Sequence, residues 1–270
     1  METENDKYAM RVRNLCMTIK NKRRSVTVVK DISFDLEAGH ILGIAGESGA
    51  GKSMTMYALT GLLSAKAAKV EGEILMWGED IMQIPPAKRQ KFCSSRISII
   101  LQDAINALNP YEKIRNQLKE TIWLHRSLNK TELEAYMMKL LEDYGIYGGQ
   151  DTLNKYPHQL SGGMRQRIAI ALALESEARI LVADEPTTSL DVINQQQFLR
   201  LFKEIVEKRK LSVIYISHDL ALLGMLCNDI MVLKDGGVVE KGTMEQVFFA
   251  PREAYTRTLL EETKKLSWQE

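Results

Sequence analysis

The sequence predicts an α/β fold with a mixed sheet at its core, an N-terminal antiparallel β layer and an inserted helical lobe. Three observations lead there. The opening 70 residues alternate apolar and polar side chains, as in RVRNLCMTI (11–19) and SVTVVKDISFDL (25–36), the period of strands with one wetted face. HILGIA (40–45) is almost wholly apolar, as expected of a strand covered on both faces. From about Asp103 to Glu177 the apolar spacing becomes helical, and strand signals then resume. A chain of 270 residues can bury one large core, or a core with a subsidiary lobe.

The elements follow in order. After HILGIA a helix is predicted from Lys52 to about Leu63, then strands at GEILMW (72–77) and ISIILQ (97–102). The helical block carries KIRNQLKETIWLH (113–125), KTELEAYMMKLLEDYG (130–145) and GMRQRIAIALALE (163–175). RILVAD (179–184), SVIYIS (212–217) and DIMVLKDGGVVEKG (229–242) read as strands, the last folded into a hairpin at its DGG turn. No internal repeat or low-complexity segment interrupts the pattern.

Composition excludes several classes. Hydrophobic residues make up 45% and charged residues 26%, as in ordinary globular proteins. The 36 basic and 35 acidic side chains leave no field to attract nucleic acid or acidic lipid. The basic clusters NKRR (21–24) and EKRK (207–210) read as solvated turn and helix-end charges. Cys16, Cys93 and Cys227 show no metal-ligand spacing and read as reduced structural thiols. METENDKYAMRVR at the start lacks the apolar core of a signal peptide, and the longest purely apolar run, IAIALAL (168–174), is too short to span a bilayer. A cytoplasmic protein is expected, with any membrane role borrowed from partners.

GESGAGKS (46–53) matches G-x-x-x-x-G-K-[ST] at every fixed position, between an apolar strand and a helix. Gly46, Gly49 and Gly51 free the backbone so that N–H groups across Glu47, Ser48 and Ala50 can converge on phosphate oxygens. The helix that follows adds its positive end. Lys52 would reach the β- and γ-phosphates of a nucleoside triphosphate, and Ser53 would offer its hydroxyl to Mg²⁺. The acidic partner is Asp184-Glu185 at the end of RILVAD. Adjacent carboxylates repel unless their duties separate. Asp184 would orient the metal's shell, and Glu185 would polarise the attacking water.

A second glycine-rich stretch, QLSGGMRQR (159–167), raises a puzzle, because one phosphate loop already suffices. Ser161 is a natural helix N-cap. A cap explains the serine but not Gly162 and Gly163, which permit close approach of something bulky. Here the chain resembles the ATP-binding-cassette (ABC) proteins. LSGGM followed by RQR is similar to their signature, and the other motifs stand in order: the phosphate loop, Gln102, LVADEP, SLD (189–191) and ISHD with His218.

The resemblance implies one cassette over residues 1–270, with a RecA-like P-loop NTPase core from about 1–102 and 178–250. It adds a helical subdomain at about 103–177 and a C-terminal helix at about 251–270. It further implies that two cassettes pack head to tail, so that the signature serves the partner's ATP. Gln159, Ser161, Gly162 and Gly163 would then contact that nucleotide across the interface. Gln102 resembles the glutamine that touches Mg²⁺ and senses the transmembrane partner, Asp191 the aspartate lining the dimer seam, and His218 the switch histidine on the γ-phosphate. Where the family stacks an aromatic ring on adenine, this chain aligns Ile19, which offers only apolar contact.

LQDAINALNP, YPHQLSGGMRQR, ADEPTTSLD and APREAYTRTLL look most like the dipeptide, oligopeptide and nickel importer branch, with EAYT (253–256) similar to that branch's C-terminal HPYT helix. Such members work as paired ATPases, usually two different ones, beneath two permease subunits at the cytoplasmic membrane face. An external solute-binding protein delivers the cargo. The resemblance leaves open peptide against metal-chelate cargo, and a like against an unlike partner cassette. DNA- and chromosome-associated ABC proteins carry long coiled coils and ribosome-associated ones two cassettes, neither of which is present. Glu185 and His218 argue against a regulatory module that never turns over.

Overall fold

The protein is described by a computed structural model over residues 7–20, 24–63, 67–101, 108–188 and 191–267. Two long strands, β1 (Tyr8–Lys20) and β2 (Ser25–Glu37), pair antiparallel from Tyr8↔Glu37 to Lys20↔Ser25. After β3 (Ile41–Ala45) and helix α1 (Lys52–Thr60), β4 (Ala68–Met76) joins the free side of β1 and β5 (Glu79–Asp80) joins β4. The first sheet thus runs β2-β1-β4-β5. Its ladder bulges beside Asn14, whose φ is 50°, and the opposing residue is Gly72. A Cβ there would lie 2.7 Å from the carbonyl oxygens of both Arg13 and Asn14, so only glycine fits against the kink.

The second sheet holds β3, β6 (Ile97–Ile100, after helix α2 at Pro86–Ser94), β7 (Ile180–Asp184), β8 (Ser212–Ile216), β9 (Asp229–Lys234) and β10 (Gly237–Thr243). Its order is β10-β9-β3-β8-β7-β6, parallel except for the β9–β10 hairpin. Asp235 and Gly236 turn that hairpin with φ of 50° and 84°, the paired positive values of a tight two-residue turn. Every residue of β3, β7 and β8 is buried, and their side chains alternate between two cores. Leu42, Ile44, Val182, Ile214 and Ile216 face the antiparallel sheet with Met10, Met17 and Phe34. Ile41, Leu181, Ala183, Val213 and Tyr215 face the helices.

The helical side continues with α3 (Ile114–His125), α4 (Lys130–Asp143), α5 (Gly149–Leu153) and α6 (Gly162–Ala173). Asn129 starts α4 with a reciprocal capping box to Glu132. Leu118, Ile122, Met137 and Leu140 join the core beneath the mixed sheet, so lobe and sheet share one apolar cluster. Buried Glu175 fastens the lobe by accepting from Arg126 Nε at 2.9 Å and from the Tyr136 hydroxyl at 2.8 Å. Four more helices follow: α7 (Val192–Arg209), α8 (Leu220–Leu226), α9 (Met244–Phe249) and α10 (Ala254–Ser267). No helix among the described residues is long and apolar enough to cross a membrane.

Several expected boundaries move, among them the ends of α4 and α6, each two residues early at Asp143 and Ala173. The helix expected to reach Leu63 ends at Thr60, because Gly61 takes a left-handed conformation (φ 66°) that closes it. β4 begins at Ala68 rather than Gly72, since the strand pairs with β1 on both sides of the bulge. β6 stops at Ile100, two residues short of the ISIILQ stretch. Gln102, Asp103 and Ser189 lie outside the described residues, as does most of NKRR.

Candidate active site

The loop from β3 to α1 is shaped by backbone proximity. Gly46 has φ of 145°, and a Cβ there would stand 2.4 Å from the Leu233 carbonyl oxygen. Lys52, the first residue of α1, is buried and folds back across the loop. Its Nζ donates to the carbonyls of Gly46 (2.6 Å) and Glu47 (3.0 Å). An ammonium has three donors, so one remains for an anion in the loop's mouth. Burial lowers the Lys52 pKa, and the Glu185 and Asp184 carboxylates partly offset it.

The two carboxylates leave β7 in different environments. Asp184 is buried, and its pKa is raised chiefly by that burial, with the Glu185 charge adding repulsion. A hydrogen bond with the Ser53 side chain and the Lys52 charge pull the other way. Glu185 turns outward in a left-handed conformation (φ 47°) that costs a residue with a Cβ about 1–3 kcal/mol. Its amide donates to Ile216 O at 2.9 Å, while the Thr188 hydroxyl donates to its carbonyl and its carboxylate, both at 3.1 Å. Glu185 Oε1 lies 3.8 Å from Lys52 Nζ, and Oε2 lies 3.2 Å from His218 Nδ1. An acid group held between a lysine and an imidazole beside the glycine-rich loop is suited to water attack on a bound phosphoryl group. Of the loop amides expected to face phosphate, that of Glu47 donates to the Tyr255 hydroxyl and that of Ala50 to the Glu47 carbonyl.

Lys52, Glu185 and His218 open onto a cavity of about 880 Å³, which buried Asp184 does not line. Gly46, Glu47, Ser48, Gly49, Gly51, Lys52 and Ser53 line it, with Glu185 and His218. Ala50 is buried under the loop. Asp184 and Ser53 fit a hard divalent cation: a hydroxyl and a buried, poorly compensated carboxylate are oxygen donors of the right kind. No cluster of three or more His, Cys, Asp or Glu exists among the described residues, so such an ion would complete its shell with phosphate oxygens and water.

The second glycine-rich stretch is not part of this cavity. Gln159, Ser161, Gly162, Gly163 and Asp191 do not line it. Ser161 caps α6, accepting from the Met164 amide at 3.3 Å. A Cβ on Gly162 would meet nothing within 4 Å, and one on Gly163 would meet only Asn194 Oδ1 at 3.4 Å. Asp191 caps α7 through the Asn194 amide (2.8 Å) and side chain (2.7 Å), so Asn194 joins the two helix starts. Hydrogen bonds from Asn194 hold the Asp191 carboxyl below its usual range. Gln159 is occupied locally, accepting from the Tyr156 amide at 2.8 Å. Ile19 pairs with Val26 and Ala68 near the end of β1, and it too is outside the cavity lining.

A protein-family model described as ABC transporter matches residues 29–188. The chain belongs to the ABC transporter family. As an ATP-binding subunit of that family it is an ATPase. The oligopeptide transport ATP-binding protein OppD of Haemophilus influenzae is 40% identical over 96% of this chain and 80% of its own length. The dipeptide transport ATP-binding protein DppD of Bacillus subtilis is 40% identical over 94% of this chain and 76% of its own. Among solved structures, the dimeric ATP-binding cassette MJ0796 in a post-hydrolysis state with ADP and Pi matches with TM-score 0.74 at 25% identity. That match covers 87% of this chain and 98% of the other.

Some residues of the ABC cassette's cavity escaped sequence reasoning. Thr188 stood within ADEPTTSLD, and its hydroxyl pattern gave a local signal. Thr27, Val28 and Lys30 of β2, and Leu259, Glu262 and Thr263 of α10, also line the cavity. They come from remote segments, and of them only Leu259 falls in a stretch that carries the family resemblance, APREAYTRTLL.

Proposed function

We propose that this chain is the ATP-hydrolysing motor of an ABC importer for peptides, working as one of two cassettes beneath a pair of permease subunits on the cytoplasmic membrane face. An extracytoplasmic binding protein would deliver the cargo. The oligopeptide and dipeptide transport roles named for the relatives support peptides over nickel or other metal chelates.

The observation that carries the reading is a division of labour within one chain. Lys52, Glu185 and His218 converge at the phosphate loop, while Ser161, Gly162 and Gly163 offer a serine-capped, sterically open helix start elsewhere. The loop takes the triphosphate, with Lys52 on its β- and γ-phosphates. Glu185 polarises the attacking water, and His218 holds the γ-phosphate end. A divalent cation held by Ser53 and Asp184, with Gln102 approaching it, would supply charge neutralisation at the phosphates. The signature, with Asp191 at the seam, binds the γ-phosphate of the partner's nucleotide. Such a bridging group shifts the open–closed equilibrium by the difference in affinity it brings, and hydrolysis removes that difference. Helices α3–α6 would carry the closure to the permease.

The test is hydrolysis by the Glu185→Gln protein. ATP turnover is expected to fall by at least 10²-fold with ATP binding retained. Turnover at the parent rate would remove Glu185 from its assigned role.

A further inference from the structure

The EAYT stretch (253–256) contributes no group to the hydrolytic cluster, yet it reaches the phosphate loop. The Tyr255 hydroxyl accepts a hydrogen bond from the Glu47 amide at 3.3 Å. Lys234 Nζ sits 4.6 Å from the centre of the Tyr255 ring and keeps it in place. That amide and the Gly46 carbonyl belong to one peptide unit, which is planar and trans. Its carbonyl takes Lys52 Nζ at 2.6 Å. One rigid plane is therefore pinned at both ends, by Tyr255 on its N–H side and by Lys52 on its C=O side. Rotating it would break both bonds.

Helix α10 is itself firmly rooted. Glu240 of β10 accepts from the amides of Arg252 (2.7 Å) and Glu253 (3.2 Å), just ahead of the helix. Leu259 and Leu260 are buried in the cluster that contains Leu220, Leu222 and Leu223 of α8. Beyond Tyr255, Leu259, Glu262 and Thr263 line the same cavity as the phosphate loop.

We infer that α10 is a structural wall of the nucleotide site and that Tyr255 is its positioning residue, orienting the Gly46–Glu47 peptide that in turn holds Lys52 toward the phosphates. This rests on the nucleotide reading above. Tyr255 touches no reacting atom; it sets how well the loop is formed before the triphosphate arrives.

The experiment compares Tyr255→Phe with the parent and with Lys52→Met, titrating ATP and inorganic tripolyphosphate by calorimetry. Phenylalanine keeps the ring and removes only the hydroxyl, which accepts from the Glu47 amide and also bonds the Glu47 carboxylate. Both ligands are expected to weaken by the same factor, about threefold to tenfold, the worth of one neutral hydrogen bond. KM for ATP should rise with kcat retained, and the Glu47 amide should exchange faster with solvent. Unchanged tripolyphosphate affinity would overturn the inference, and so would a lower melting temperature with both affinities unaltered, which marks a packing role alone. Lys52→Met tests the foundation separately: if it binds tripolyphosphate as tightly as the parent, the phosphate-loop reading itself fails.

Discussion

Gly162→Ala separates a glycine kept for folding from one kept for a partner. Gly162 is the first residue of α6, its φ is not positive, and an added Cβ meets nothing within 4 Å. Within the isolated chain alanine therefore introduces no strain or overlap. It gains helix propensity, worth about 0.5–1 kcal/mol at a helix start against the full interior value. For a chain of this size that is a rise of roughly 1–4 °C in melting temperature. On the proposed head-to-tail arrangement the same methyl would stand in the path of the partner's γ-phosphate to the Ser161–Gly163 amides, and ATPase activity of the assembled transporter should fall at least tenfold. Scanning calorimetry of the isolated chain and phosphate release by the complex give the two readings. A destabilised chain would mean that Gly162 serves the fold. A stabilised chain with full activity would mean that the open space at the signature receives nothing.

Three further outcomes follow from the geometry. Gly46→Ala should destabilise the protein by several kcal/mol and abolish ATP binding, because its Cβ meets backbone at 2.4 Å and φ is 145°; a normal melting curve would contradict the loop geometry. Ile19→Tyr should tighten ATP by about 1–3 kcal/mol, the value of an aromatic–base stack; unaltered affinity would show that adenine lies away from the end of β1. Asp184→Asn should raise the melting temperature of the nucleotide-free protein at neutral pH while abolishing hydrolysis. Burial raises the Asp184 pKa above its unfolded value, so the folded state holds the proton more tightly and loses stability as pH rises through that window. The gain should therefore shrink toward acid pH, where the aspartate is already neutral, and a pH-independent gain would refute this cause.

Local chemistry was legible in the sequence to the extent that it was local. The uniform apolarity of HILGIA reports a strand covered on both faces, and β3 bears that out. Alternation along SVTVVKDISFDL holds only from Ile32 to Leu36, since Val26 is exposed and the register shifts at Asp31 (φ 53°). The DGG turn and the Ser161 cap depend on neighbours within three residues, and both are where their residue types require. The contacts that escaped are long-range. Tyr255 and Glu47 are 208 residues apart, and Asn194 links a cap at Asp191 to a helix start at Gly163. Gly72 is needed because a bulge on the neighbouring strand presses two carbonyls against it and because its own φ is 113°. Periodicity cannot encode such pairings, since they arise when the strand order β10-β9-β3-β8-β7-β6 brings remote segments together.

Most directly decisive is the solution mass of the Glu185→Gln protein, alone and with its partner cassette, with and without Ser161→Arg. With ATP the Glu185→Gln protein should double in mass, whereas with ADP it should remain a single cassette. Adding Ser161→Arg should abolish the doubling yet leave ATP binding to each chain intact. Doubling that is indifferent to Ser161, or equal with ADP, would contradict a terminal phosphate clasped between one chain's loop and the other's signature.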